Sequence, residues 1–240
     1  MGGSDKLASI IRFIKFVLHP YLALTFSFFR FIVICVANFV GVAGLAGAGK
    51  DLFCTLVSRR LWFSAPKKTV HTKSFASTIK QDTKQTLVGM FGIDPTSCTR
   101  QEKDKIRDFL VFYGDVLRKK TSGRYWIERL GREIAGGRDD IFLISDVRYM
   151  EYENDEVQWL QKEKNGVIVH LKIYDTLDHT GEKIYDEPPN DKERFNDPKI
   201  QEVADYSIEW PKCDGSVKEI NKKIEPYIKN FCEWYLEKIE

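Results

Sequence analysis

Hydrophobic positions along this chain alternate between two periods. Residues 38–43 form a short continuous apolar run, the pattern of a strand buried on both faces, and they open into a glycine-rich turn. Leu52, Phe53, Leu56, Val57 and Leu61 then recur at helical spacing, so residues 51–60 predict an amphipathic helix. Residues 69–72 predict a second strand. Residues 75–91 predict a helix stopped by Gly92 and the Asp94-Pro95 turn. Another helix is predicted over 101–120, with Ile106, Phe109, Leu110, Tyr113, Val116 and Leu117 on one side. A third covers 125–135 and ends at Gly136-Gly137. Residues 141–145 and 167–173 read as buried strands, with Val157 and Leu160 marking a helix between them. Residues 205–210 predict the last strand. The closing helix, 216–237, carries Val217, Ile220, Ile224, Tyr227, Phe231 and Tyr235 at spacings of three and four. The polar stretch 175–198, with Pro188-Pro189 and Pro198, predicts a long loop. Strands alternating with helices give an α/β fold with a parallel sheet, right-handed crossovers and ligands at the strands' carboxyl ends.

The first 40 residues depart from this alternation. Residues 10–29 are strongly apolar, but Arg12, Lys15, His19-Pro20 and Arg30 interrupt them. The longest uncharged run there, 16–29, has 14 residues, short of the roughly 20 a helix needs to span a bilayer. A signal peptide cut near Ala37 would end directly against the first strand. Three readings of residues 1–36 stand: a membrane-surface or signal-anchor helix, an extra helix packed on the domain, or upstream sequence outside the working protein.

Composition narrows the partners. At 240 residues and 43% apolar content the chain can bury one large core. The net charge of +2 conceals an asymmetry, because residues 1–40 carry +3 and residues 41–240 carry −1. The body therefore has no basic excess, which argues against nucleic-acid binding. The five cysteines, Cys35, Cys54, Cys98, Cys213 and Cys232, are odd in number and contain no C-x-x-C pair. They read as free thiols in a reducing compartment.

The chemistry centres on the turn Gly44-Leu45-Ala46-Gly47-Ala48-Gly49-Lys50-Asp51. Its first seven positions fit the phosphate-binding pattern G-x-x-x-x-G-K. Small residues let successive N–H groups converge on one anion, the following helix start adds its positive dipole end, and Lys50 reaches the outer phosphates of a nucleotide. The eighth position is Asp51, where the usual metal-binding Ser or Thr is absent. Downstream, the apolar strand 141–145 ends in Asp146, placed to orient Mg²⁺ opposite such a loop. Arg148 follows, with a fork suited either to a phosphoryl group or to a surface pairing with Glu151 or Glu153. Between loop and Asp146 lie Lys80, Arg107, Arg118, Lys119, Lys120, Arg124, Arg129, Arg132 and Arg138. Arg118 and Arg124 flank Thr121-Ser122-Gly123, a turn suited to a lid. Tyr125-Trp126 next to it reads either as a base-stacking surface or as a packed aromatic pair.

Together these residues make 38–220 resemble the bacteriophage-type deoxynucleoside monophosphate kinases. The resemblance rests on the loop ending Gly49-Lys50-Asp51, on 75–80 with Lys80 at a helix start, and on Arg107, Gly114 and Arg118 in the middle helix. Tyr125-Trp126 and Asp146-Val147-Arg148 reinforce it. So do Asn196-Asp197-Pro198 and Ala204-Asp205-Tyr206 before Asp214-Gly215-Ser216, which are similar to the family's final strand and the start of its last helix. Two departures stand out. The family carries an Asn-Glu pair after Asp-Val-Arg, whereas here Glu151 and Glu153 fall one position either side, and the apolar N-terminal extension is foreign to the pattern.

The resemblance implies a P-loop NTPase fold over residues 37–240. Its five-stranded parallel sheet would have the order 2-3-1-4-5, with a helical acceptor-binding and lid region at 75–138. It implies transfer of the ATP γ-phosphoryl group to a deoxynucleoside monophosphate, with Lys50, Arg118 and Arg148 carrying the transfer. The loop 44–51 would hold ATP, Asp51 and Asp146 would position Mg²⁺ directly or through water, and Lys80, Arg107, Arg118, Arg124, Tyr125, Trp126, Asp146 and Arg148 would surround the acceptor. No general base is needed, since the acceptor phosphate is already an anion. The setting implied is cytoplasmic, the host's if the protein is viral, with monomer and homodimer both open. Two alternatives stand beside it: a phosphomevalonate kinase of the animal type, which shares the Gly-Lys-Asp ending, and a membrane-tethered nucleotide-binding module.

Overall fold

Strand β1 (Asn38–Ala43) is the central strand of the sheet, because its residues are buried toward both faces. A computed structural model describes residues 38–239 apart from 135, 136, 138, 178, 179 and 214. The expectations for residues 1–36, Arg138 and Asp214 lie outside the described residues. β1 pairs in parallel with β3 (Asp140–Ile144) on one side and β4 (Val167–Thr176) on the other, with Phe39 opposite Phe142 and Ala43 opposite His170. β2 (Thr69–Lys73) adds to β3, and β6 (Tyr206–Pro211) adds to β4, both in parallel. The parallel order β2-β3-β1-β4-β6 is the expected 2-3-1-4-5 counted over parallel strands. A short β5 (Lys183–Tyr185) runs antiparallel against the far end of β4.

The helices are α1 (Lys50–Ser64), α2 (Phe75–Phe91), α3 (Arg100–Lys120), α4 (Arg124–Glu133), α5 (Glu156–Gln158, continued by a π-helical turn, Trp159–Glu163), α6 (Asp191–Glu202) and α7 (Val217–Ile239). Alternation along β1 divides the core. Val40 and Val42 join Phe53, Val57 and Leu61 of α1 and Phe231 of α7 on one face, while Phe39 and Ala43 meet Trp126, Leu130, Trp159 and Ile168 on the other. Each Val, Leu, Ile or Phe among them, buried fully, contributes about 1.5–3 kcal/mol. A small satellite of Leu87, Ile93 and Ile106 joins α2 to α3. Helix ends follow local chemistry: Ser74 caps α2 by accepting from Ser77 N, and Thr99 and Glu102 form a capping box on α3.

One expectation is corrected. The stretch 175–198 is not a loop throughout: it holds the end of β4, then β5, then most of α6. Helix α6 is masked in sequence because Ile200 is its only buried apolar residue and Phe195 faces solvent. Its start is set by Asn190, whose Oδ1 accepts from Glu193 N at 2.9 Å. Asn196-Asp197-Pro198 accordingly lies inside α6 and not beside the final strand, whereas Ala204 and Asp205 do lead into β6. No helix of the described residues is long and apolar enough to cross a membrane.

Candidate phosphate-binding site

The glycine turn lies between the carboxyl end of β1 and the first residue of α1, so the amino end of a 15-residue helix faces it. Its glycines are needed for separable reasons. Gly44 (φ 131°) has no room for a side chain, since a Cβ would lie 2.3 Å from the Leu171 carbonyl oxygen. Gly49 (φ 84°) backs onto the Trp210 indole, which would stand 3.0 Å from such a Cβ and donates from Nε1 to the Ala48 carbonyl at 3.2 Å. The turn is closed by Ala48 N donating to Leu45 O at 3.1 Å.

Lys50 is 8% exposed and its Nζ donates to the carbonyls of Gly44 at 2.7 Å and Leu45 at 2.8 Å. Burial, and then the nearby Arg148 guanidinium, lower its pKa, while Glu193, Asp146 and Asp197 oppose the shift. Arg148 has a side chain 46% exposed, and its guanidinium lies 3.6 Å from Glu193 Oε1. Asp146, at the end of β3, is half-buried and spans to the next element: Oδ1 accepts from Phe75 N and Oδ2 from Ala76 N, both at 2.8 Å. Burial raises its pKa against the pull of these two amides. Asp51 is exposed, and its carboxylate makes no hydrogen bond or ion pair among the described residues.

Lys50, Asp146 and Arg148 therefore converge on the loop, and the chain adds groups that the pattern did not single out. Glu193 of α6 accepts from Ala46 N at 2.7 Å. His170, 1% exposed, pairs through Nε2 with Asp197 Oδ1 at 3.0 Å on the strand beside β1. Glu156 Oε2 accepts from Arg148 N at 2.8 Å and Tyr149 N at 3.1 Å, shaping the backbone that presents Arg148. Burial pushes the Glu156 carboxyl well above its usual range, and the neighbouring Asp155 pushes the same way. These residues come from separate segments. The one local signal among them is Asn190 three positions before Glu193, a helix-start spacing.

Five strands in the order 2-3-1-4-5, with a G-x-x-x-x-G-K turn joining the central strand to a helix, decide the architecture. The fold is that of the P-loop NTPases. No protein-family model and no curated protein matches the chain. Among solved structures it is similar to an APS kinase CysC variant from Mycobacterium tuberculosis, at 11% identity and a TM-score of 0.32 over 81% of this chain and 98% of that one. Kti12 from Chaetomium thermophilum, in complex with ADP-AlF3, gives 11% identity and 0.34 over 79% and 97%. A gluconokinase from Sinorhizobium meliloti gives 10% and 0.35 over 84% and 98%. Similarity at this level carries nothing about substrate, and the chemistry has to come from the residues themselves.

The other expected site residues differ in burial and partners. Arg118 is 4% exposed, in a bidentate ion pair with Asp155, with its guanidinium 3.8 Å from the Tyr149 ring centre and 3.4 Å from Glu151. It is a buried cross-link of α3 to the segment before α5, not a cation presented to the loop. Of the two glutamates flanking the expected position, Glu151 joins this network, also accepting from Asn196 Nδ2 at 3.0 Å, while Glu153 is exposed. Trp126 is 4% exposed and donates to the Gly114 carbonyl at 2.9 Å, so its ring packs in the core and offers no open face for a base. Tyr125 bonds Asp82 at 3.3 Å, and Arg124 pairs with Glu163. Arg107 is exposed and pairs with Asp104 within its own helix. Lys80 is half-buried on α2, and its ammonium makes no ion pair among the described residues.

No group of three or more His, Cys, Asp or Glu suited to a metal occurs among the described residues. Both Asp146 oxygens accept backbone bonds, whereas the exposed Asp51 carboxylate is not engaged in this way.

Proposed function

We propose that this protein is an ATP-dependent phosphotransferase whose acceptor is itself a phosphate, with a deoxynucleoside monophosphate as the favoured class. The observation that carries the first part is the convergence of Lys50, Arg148 and the amino end of α1 on a loop whose backbone is bent by three positive-φ glycines. The loop N–H groups would hold the β- and γ-phosphates, and the Lys50 ammonium would exchange its two carbonyl partners for phosphate oxygens. Arg148 would neutralise charge on the transferring group, and Lys80 on α2 would meet the acceptor phosphate. Mg²⁺ would offset phosphate charge, with Asp51 as its protein ligand and Asp146 reaching it through water. The nucleotide acceptor rests on the resemblance built from Gly49-Lys50-Asp51, Lys80 and Asp146-Val147-Arg148.

The buried Trp126 favours a second reading. Without its ring as a base platform, a non-nucleotide acceptor such as phosphomevalonate fits the same donor set. One assay separates the two: Mg-ATP with dTMP, dGMP, dCMP, dAMP or phosphomevalonate, followed by ADP release and by the phosphorylated product. A diphosphate from at least one deoxynucleotide is expected, and turnover of phosphomevalonate alone would establish the second reading. No product in any mixture refutes both.

The metal assignment has its own test. Asp51→Asn is expected to lower Mg²⁺-dependent turnover by about 10²-fold while changing nucleotide affinity less than about threefold, because the ligand is lost but the loop N–H groups remain. Equal loss of both would remove Asp51 from any metal-positioning role.

A further inference from the structure

Glu193 is a carboxylate in a loop otherwise shaped for anions. Its side chain is nearly buried, Oε2 accepts from Ala46 N at 2.7 Å, and Oε1 accepts from Asn190 Nδ2 at 3.1 Å while facing the Arg148 guanidinium at 3.6 Å. Its charge also acts on Lys50. A loop amide, an arginine and the loop lysine are the groups that the terminal phosphate of a bound nucleotide would need, and here an internal carboxylate already engages the first two. It is fixed there by the start of α6, where Glu193 N in turn donates to Asn190 Oδ1.

We infer that Glu193 is a specificity-determining residue that grades the loop's ligands by their terminal phosphate, competing with the γ-phosphoryl group of a triphosphate and leaving a diphosphate largely undisturbed. The inference rests on the reading of the loop as a nucleotide site. Two anions cannot share one set of donors at hydrogen-bond distance, so a third phosphate has to displace the carboxylate from Ala46 N and Arg148. On this inference the phosphoryl group placed on those donors is the third one, which a diphosphate lacks.

The test is calorimetric binding of Mg-ATP and Mg-ADP, without acceptor, to the intact chain and to Glu193→Gln. The glutamine keeps an acceptor for Ala46 N and removes the charge. ATP is expected to bind about tenfold tighter to the variant and ADP less than about twofold differently, the size expected for one charge-assisted contact. An ATP-to-ADP affinity ratio unchanged within twofold overturns the inference, as does weaker binding of both, which would make Glu193 a brace of the loop. If circular dichroism shows that the glutamine variant does not fold, Glu193→Asp takes its place under the same criteria, since it is one methylene too short to hold Ala46 N and Arg148 together. If the unmodified chain binds neither nucleotide, the nucleotide reading falls and this inference with it. Nucleotide binding with an unaltered ratio sinks the inference alone.

Discussion

Lys50→Ala is expected to cost at least about 10²-fold in ATP affinity and more in turnover, the largest functional effect of any single change in the chain. The ammonium is held at the loop by the Gly44 and Leu45 carbonyls, so it needs to move only locally to reach a phosphate. Burial and Arg148 lower its pKa, and an arriving polyphosphate favours its charged form, so the ion pair made on binding is formed in a poorly solvated place where it counts for more. The substitution also leaves two carbonyls without their donor, at roughly 1–3 kcal/mol if water does not replace it. Thermal melting must therefore accompany the binding measurement: a variant that melts close to the unmodified protein yet binds ATP normally would remove the loop from any nucleotide function.

Arg118→Ala is expected to lower stability by about 3–5 kcal/mol, through the mechanism that makes a half-removed buried ion pair so harmful. Asp155 would be left fully buried without its cation, its remaining partners being the backbone amides of Glu151, Tyr152 and Glu156. The aromatic faces of Tyr149 and Tyr152 would lose the guanidinium that they flank. Urea unfolding measures this directly. A variant with an unchanged midpoint and lost turnover would return Arg118 to the transfer chemistry that the family resemblance implies. The double change Arg118→Met with Asp155→Asn should recover part of the loss, because it removes both charges while an amide oxygen remains to accept from the backbone N–H groups.

These two residues also show which parts of the molecule were legible in the sequence. The loop is a local pattern of seven consecutive positions, and its place at the end of β1 follows from the apolar run before it. Helix α2 could be read to its end residues because a serine cap, an apolar stripe and Gly92 all lie within its own span. Arg118 had no such local marker. It occupies a helix with a strongly polar sequence, where a charged side chain ordinarily faces water, and its partner Asp155 is 37 residues away. Trp126 was read from its neighbour Tyr125, but its indole donates to the Gly114 carbonyl, 12 positions back in the chain. Helix α6 escaped because periodicity reports buried apolar faces, and this helix is fixed instead by polar contacts: Glu193 to the loop, Asn196 to Met150 N and Asp197 to His170. Those contacts join segments far apart in the chain, so no window of sequence contains them.

The indole behind the loop has a practical consequence. Trp210 lies on the last parallel strand yet is hydrogen-bonded to Ala48 and pressed against Gly49, so its electronic environment is set by the conformation of the turn. A ligand that reshapes the turn is expected to alter the polarity around the ring and to shift its emission, which steady-state fluorescence reads. The chain thus carries an unlabelled optical reporter of its own turn, readable against Trp210→Phe as the silent control.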